Sequence, residues 1–255
     1  MTVAVFLIVG LFLGMLALLE AGRRVGRRRQ AIDGAGAGAG LGAVDGAVFG
    51  LMGLLIAFTF SGADARFDAR RALIVEEAND IGTAWLRLDL LPDSLQPALR
   101  DKFRQYLDAR LAAYRAIPDE AKIQVEMARA TALQGEIWAL SVVASRQAQG
   151  PTAGMLLLPA LNAMFDITTT RTMAARTHPP RIIFALLAAL ALACSLMAGY
   201  GMAGAATRSW VHILGFALIL TITVYVIMDL EYPRLGLIRV DAFDQVLVDV
   251  RASMR

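Results

Sequence analysis

Cysteine, lysine and histidine are nearly absent from this 255-residue chain. A single cysteine, Cys194, excludes an intramolecular disulfide and leaves the redox compartment undetermined. With only Lys102 and Lys122 as lysines, almost all basic charge is arginine, which suits bidentate pairing with carboxylates or phosphates. The two histidines, His178 and His212, are far apart, and no H-E-x-x-H, G-x-S-x-G or P-loop pattern occurs. No enzyme, cofactor or metal site is therefore expected. A net charge of +3 is too small for a nucleic-acid footprint. Alternating strand patterns and internal repeats are also missing.

Apolar residues are abundant instead. They make up 57% of the chain, and they gather in blocks. Thr2–Leu19 carries no charge and, at helical rise, spans roughly 27 Å, close to a bilayer core. Its basic cluster follows the run instead of preceding it, which favours a retained helix over a signal peptide. Three further blocks cover about 43–63, 182–203 and 210–228, the last with Trp210 and Tyr225 near its ends, where the headgroup level would lie. The expected fold is an all-α integral membrane protein with four transmembrane helices in two hairpins and an extramembrane helical bundle between them. The first hairpin takes residues 1–63 (helices about 2–19 and 43–63, joined by an Arg-rich short loop, 20–42) and the helical domain takes 64–178. The second hairpin follows at 179–228, then a C-terminal extramembrane segment at 229–255.

Four crossings put both termini and the central domain on one side. Arg23, Arg24, Arg27, Arg28 and Arg29 crowd the first loop, and the positive-inside rule places them in the cytoplasm, with the termini outside. The same cluster is a candidate for anionic lipid headgroups. Arg66, Arg70, Arg71, Arg176, Arg181, Arg234 and Arg239 argue for the reverse orientation. Gly34–Gly42 only loosely resembles a nucleotide loop, because no strand precedes it, and reads as a flexible turn.

In the central domain, Phe67, Ile74, Ala78, Ile81, Trp85 and Leu88 recur at helical spacing as one apolar stripe. The helix that carries them should run on unbroken from the second crossing. A second helix is expected from Asp93, with Gln96 in a capping-box position, to about Ile117, and a third from Pro118 to about Gln149. Leu156–Leu158 and Pro159 are too short to span and should touch the interface or pack on the bundle.

Several polar groups could carry function. Glu76, Asp80 and Arg87 share a face with Thr83, and Glu77 lies beside it. That face is either solvated and ion-paired or, in a symmetric oligomer, a charged vestibule ring. Asn162, Asp166 and Arg171 form a second group, suited to capping or to docking on the first helix; Asp229 and Arg234, with Glu231 and Arg239, form a third at the membrane boundary. Phe58, Thr59, Phe60 and Ser61 in the second crossing are the pore-lining candidates, although such hydroxyls more often bond their own backbone. No Asp, Glu, Lys or Arg lies deep in a crossing, which argues against a proton relay.

Three blocks, GLMGLLIAFTFSGADARFDARRALIVEEANDIGTAWLRLDLLP, LNAMFDITTTR and DLEYPRLGLIRV, resemble a bacterial membrane family of unknown function labelled bestrophin-like. The resemblance covers nearly the whole chain and implies four membrane helices with a helical insert, in a bacterial inner membrane. By analogy with bestrophins it implies a homo-oligomeric anion channel, with inorganic ions and the bilayer as partners and with cytosolic termini, contrary to the charge-based orientation. A non-conducting membrane scaffold or sensor is the alternative expectation.

Overall fold

The computed structural model describes residues 2–33 and 41–254. Its helices are α1 (Thr2–Asp33), α2 (Leu41–Leu86), α3 (Gln96–Arg115), α4 (Glu120–Gln147), α5 (Thr152–Arg176), α6 (Arg181–Gly201), α7 (Trp210–Glu231) and α8 (Gln245–Ser253). No strand occurs among the described residues. Four stretches are long and apolar enough to cross a membrane: Val5–Ile32, Gly42–Leu90, Thr152–Gly204 and Trp210–Glu231.

The chain divides into two compact units, residues 1–65 with 178–232, and residues 66–177 with 233–255. The first is built from α1, the apolar part of α2, α6 and α7. Helices α1 and α6 approach closely because small residues meet at their crossing. A Cβ on Gly22 would stand 2.0 Å from the Leu196 carbonyl oxygen, and one on Gly199 would stand 2.0 Å from that of Leu19. Glycine is the only residue that allows this contact, the membrane-protein use of small residues at helix interfaces. Around it Met15, Leu19, Leu187, Ala191 and Cys194 are buried. Ser195 bonds back to the Ala191 carbonyl at 2.8 Å, so its hydroxyl costs nothing in the apolar interior.

The Arg-rich segment expected as a short loop is helical as far as Asp33. Nothing from Glu20 to Asp33 breaks a helix, and Gly22 and Gly26 are used for packing against α6. The flexible turn expected from Gly34 falls almost wholly on residues 34–40, outside the described residues.

The second unit is a helical bundle. Its α2 portion and the turn that follows bury the whole expected stripe, with Ile81 and Leu88 at 0% exposure. No helix breaker separates the apolar block from this stripe, so α2 runs for 46 residues, about 69 Å at helical rise. A short 3-10 turn, Arg87–Leu90, ends it before Pro92. Helix α3 starts at Gln96 and not at Asp93, with Pro97 in its first turn, where a missing N–H is harmless. The Gln96 amide bonds the Asp93 side chain at 3.3 Å and the Leu91 carbonyl at 2.9 Å, so the pair ties side chains together instead of closing a capping box. Helix α4 begins at Glu120 and is capped by Asp119, which accepts from the Lys122 N–H at 3.2 Å. In the Leu156–Pro159 segment of α5, Leu157 is buried, as are the following Ala160 and Leu161, whereas Leu156 and Pro159 are exposed.

Candidate functional site

Between Gly42 and Ala65, only Met52 and Ala63 of α2 are buried. Phe49 meets Phe216 of α7 edge to face at 6.1 Å. At 100° per residue, Phe49, Met52, Ile56, Phe60 and Ala63 fall on one side of the helix. The opposite side carries Leu51, Leu54, Phe58 and Ser61, and Phe58 is 69% exposed against 42% for Phe60. The two phenylalanines proposed together from the sequence therefore point apart. The Thr59 hydroxyl donates to the carbonyls of Leu55, at 2.7 Å, and Ile56, at 3.0 Å, so its proton is held by its own helix. Ser61 is exposed.

The second unit hides a charged cluster. Glu77 is 0% exposed. Its carboxylate accepts from Arg110 Nε at 2.7 Å, from the Tyr114 hydroxyl at 2.9 Å and from Arg171. Arg110 also donates to the Tyr114 hydroxyl oxygen. The Tyr114 ring lies under three guanidiniums, those of Arg171 at 4.2 Å and of Arg110 and Arg234 at 5.0 Å. Arg234 in turn is clamped by Asp244 at 2.6 and 2.9 Å and by Asp241 at 3.1 Å. Every charge in this cluster thus has an opposite partner within reach, the condition under which a buried ion pair survives.

The titrations follow the same geometry. Burial alone would lower the Arg110 pKa, but Tyr114 and Glu77 outweigh it and hold the guanidinium above its ordinary range. Burial and the Glu77 charge push Tyr114 well up. Tyr106 is pushed up to about 12, mainly by burial.

A family model described as Bestrophin-like domain matches residues 9–242. The chain belongs to the bestrophin-like family. Searches of curated proteins and of solved structures return no match.

In this bestrophin-like chain the remaining polar candidates scatter. Glu76, Asn162 and Asp166 are exposed and Asp80 is half-buried. Arg87 donates to the Leu156 carbonyl of α5. Asp229 is 6% exposed and accepts from the Tyr225 hydroxyl at 3.1 Å. Arg23 is buried, while Arg24, Arg27, Arg28 and Arg29 are exposed on α1. The structure brings Glu77, Arg171 and Arg234 together around Tyr114, and leaves Glu76, Asp80, Asn162 and Asp166 out of that cluster.

Neither Arg110 nor Tyr114 stood out as a polar candidate in the sequence. The signal was there: Arg110 follows Phe103 by seven and Tyr106 by four, on the buried stripe of α3. Among the described residues, no group of three or more His, Cys, Asp or Glu could hold a metal ion.

Proposed function

We propose that this bestrophin-like chain forms an oligomeric, anion-conducting membrane channel whose pore is lined by the apolar part of α2. The observation that carries the reading is the open face of that helix. Leu51, Leu54, Phe58 and Ser61 are left uncovered by the chain's own helices, while Phe49 and Met52 on the far side are packed. Around a symmetry axis, one Phe58 per subunit would form an apolar ring, a constriction of the kind that gates by dewetting. The anionic preference rests on kinship with bestrophins, which is a fold-level warrant. The Glu77 cluster then keeps the helical unit rigid and does not bind the ion, because its carboxylate is already saturated by Arg110, Arg171 and Tyr114.

The test is current through the purified full chain in a planar bilayer under a salt gradient. An anion-selective reversal potential, with conductance altered by Phe58→Ala and much less by Phe60→Ala, is the expected result. A cation-selective potential would keep the channel and reject the anion assignment. Silence from folded oligomers across voltage and pH would favour the scaffold or sensor role.

A further inference from the structure

At the arginine-rich end of the first unit, α1, α6 and α7 enclose a cavity of about 440 Å³. It is lined by the apolar Leu16, Leu19 and Ile213 and by the charged Glu20, Arg23, Arg24 and Arg208, with Trp210 beside them. The close crossing of α1 on α6 forces this arrangement. With Gly22 and Gly26 pressed against α6, the Arg23 side chain between them is drawn in to 4% exposure.

The charges there do not balance. Arg24 and Arg208 both lean on the same oxygen of Glu20, each at 2.9 Å. Arg23 and Arg27 both donate to one neutral acceptor, the Ala205 carbonyl, at 3.1 and 3.3 Å. Four guanidiniums therefore converge on one carboxylate and one carbonyl. The Nε of Arg23 is buried with no hydrogen-bond partner. A buried, unmet donor surrounded by like charges is the setting in which a bound anion gains most. Arginine forks match phosphate oxygens, and an indole at the start of a membrane helix suits the headgroup level.

We propose that this cavity is a binding site for an anionic phospholipid. Its phosphate would sit among Arg23, Arg24 and Arg208, and an acyl chain would follow the apolar run of α1 from Leu16. The apolar share of the lining, Leu16, Leu19 and Ile213, distinguishes it from a free-phosphate site, which would be polar throughout. This inference does not depend on the channel reading.

The experiment is native mass spectrometry of the delipidated full chain in detergent, titrated with phosphatidylglycerol or with phosphatidylcholine. One tightly held phosphatidylglycerol per chain is expected, in clear preference to phosphatidylcholine. Arg24→Gln and Arg208→Gln should each weaken phosphatidylglycerol by about fivefold, the share of one arginine near an anionic headgroup. Arg23→Gln should weaken it most. Arg146→Gln, an exposed position on α4, should change nothing. Arg23 also holds the loop at Ala205, so Arg208→Gln, whose hydrogen bond goes to Glu20, carries the test if the Arg23 variant misfolds. Equal binding of the two lipids, or variants that bind like the unaltered chain, would overturn the proposal. Displacement of the lipid by equimolar inorganic phosphate would also overturn it, assigning the site to a free anion.

Discussion

Replacing Glu77 by glutamine keeps the size of the side chain and removes its charge. The consequence can be worked from its surroundings. Arg110 and Arg171 have side chains 2% and 8% exposed, and both bond the Glu77 carboxylate. Without it, two guanidiniums stay buried beside a phenol and an amide. Breaking a buried ion pair from one side costs about 3–5 kcal/mol, because the orphaned charge remains out of water. For a unit of this size that lowers the melting temperature by on the order of 10–20 °C.

The control is one residue away. Glu76 is exposed, so Glu76→Gln should change stability by no more than about 0.5 kcal/mol. Thermal unfolding in detergent can be followed by tryptophan fluorescence, since Trp85 and Trp138 both lie in the second unit and pack against Phe103 and Phe165. Adding Arg171→Met to the Glu77→Gln variant should recover part of the loss, a coupling of about 0.5–3 kcal/mol. Equal melting of the two glutamine variants, or no recovery in the double variant, would refute the buried-cluster argument.

Other tests address the rest of the molecule. Gly22→Ala should cost about 3 kcal/mol or more, the upper end for overpacking, because its methyl would meet the Leu196 backbone. Gly10→Ala meets open space and should be neutral or mildly stabilising, by up to about 1 kcal/mol of helix propensity; equal unfolding shifts would refute the packing account. Tyr106 is raised from 10.0 to about 12, so its neutral form belongs to the fold. Its contribution to stability should be complete below pH 10 and fall away as the pH rises towards 12. Absorbance titration should show a late tyrosinate step that Tyr106→Phe removes; an unchanged curve would contradict the burial. Finally, a cysteine at Arg28 on a Cys194→Ser background should resist an impermeant thiol reagent in intact cells, if the arginine end of α1 is cytoplasmic. Labelling there would reverse the orientation.

The helices were readable because lipid tolerates few alternatives. A long apolar run must satisfy its backbone internally, so Thr2–Leu19 and Trp210–Met228 could hardly be anything but helix. The stripe from Phe67 to Leu88 was readable for the related reason that a 3.6-residue period and a buried face imply one another. Where Glu20–Asp33 was concerned, charge density suggested a loop, yet charge does not break a helix, and Gly22 and Gly26 are packing residues. The central cluster was hidden by a different habit of reading. Glu77 follows Ile74 by three and precedes Ile81 by four, so it stands on the apolar stripe, whereas Glu76 falls on the opposite side. Arg110 occupies the same kind of position on α3, and on α5 Arg171 does so four residues after Ile167 and seven after Met164. Grouping charged residues with one another placed Glu77 beside Glu76 and Asp80. Grouping each with the apolar residues of its own helix places three charges in one interior, where their signs require them to meet. The exposure of α2 belongs to another order of information. Phe58 and Phe60 differ only in which way they face, and that depends on α7, through the contact of Phe49 with Phe216. A residue's partner on another helix is set by packing that no spacing within α2 contains, so the choice between the two phenylalanines had to wait for the structure.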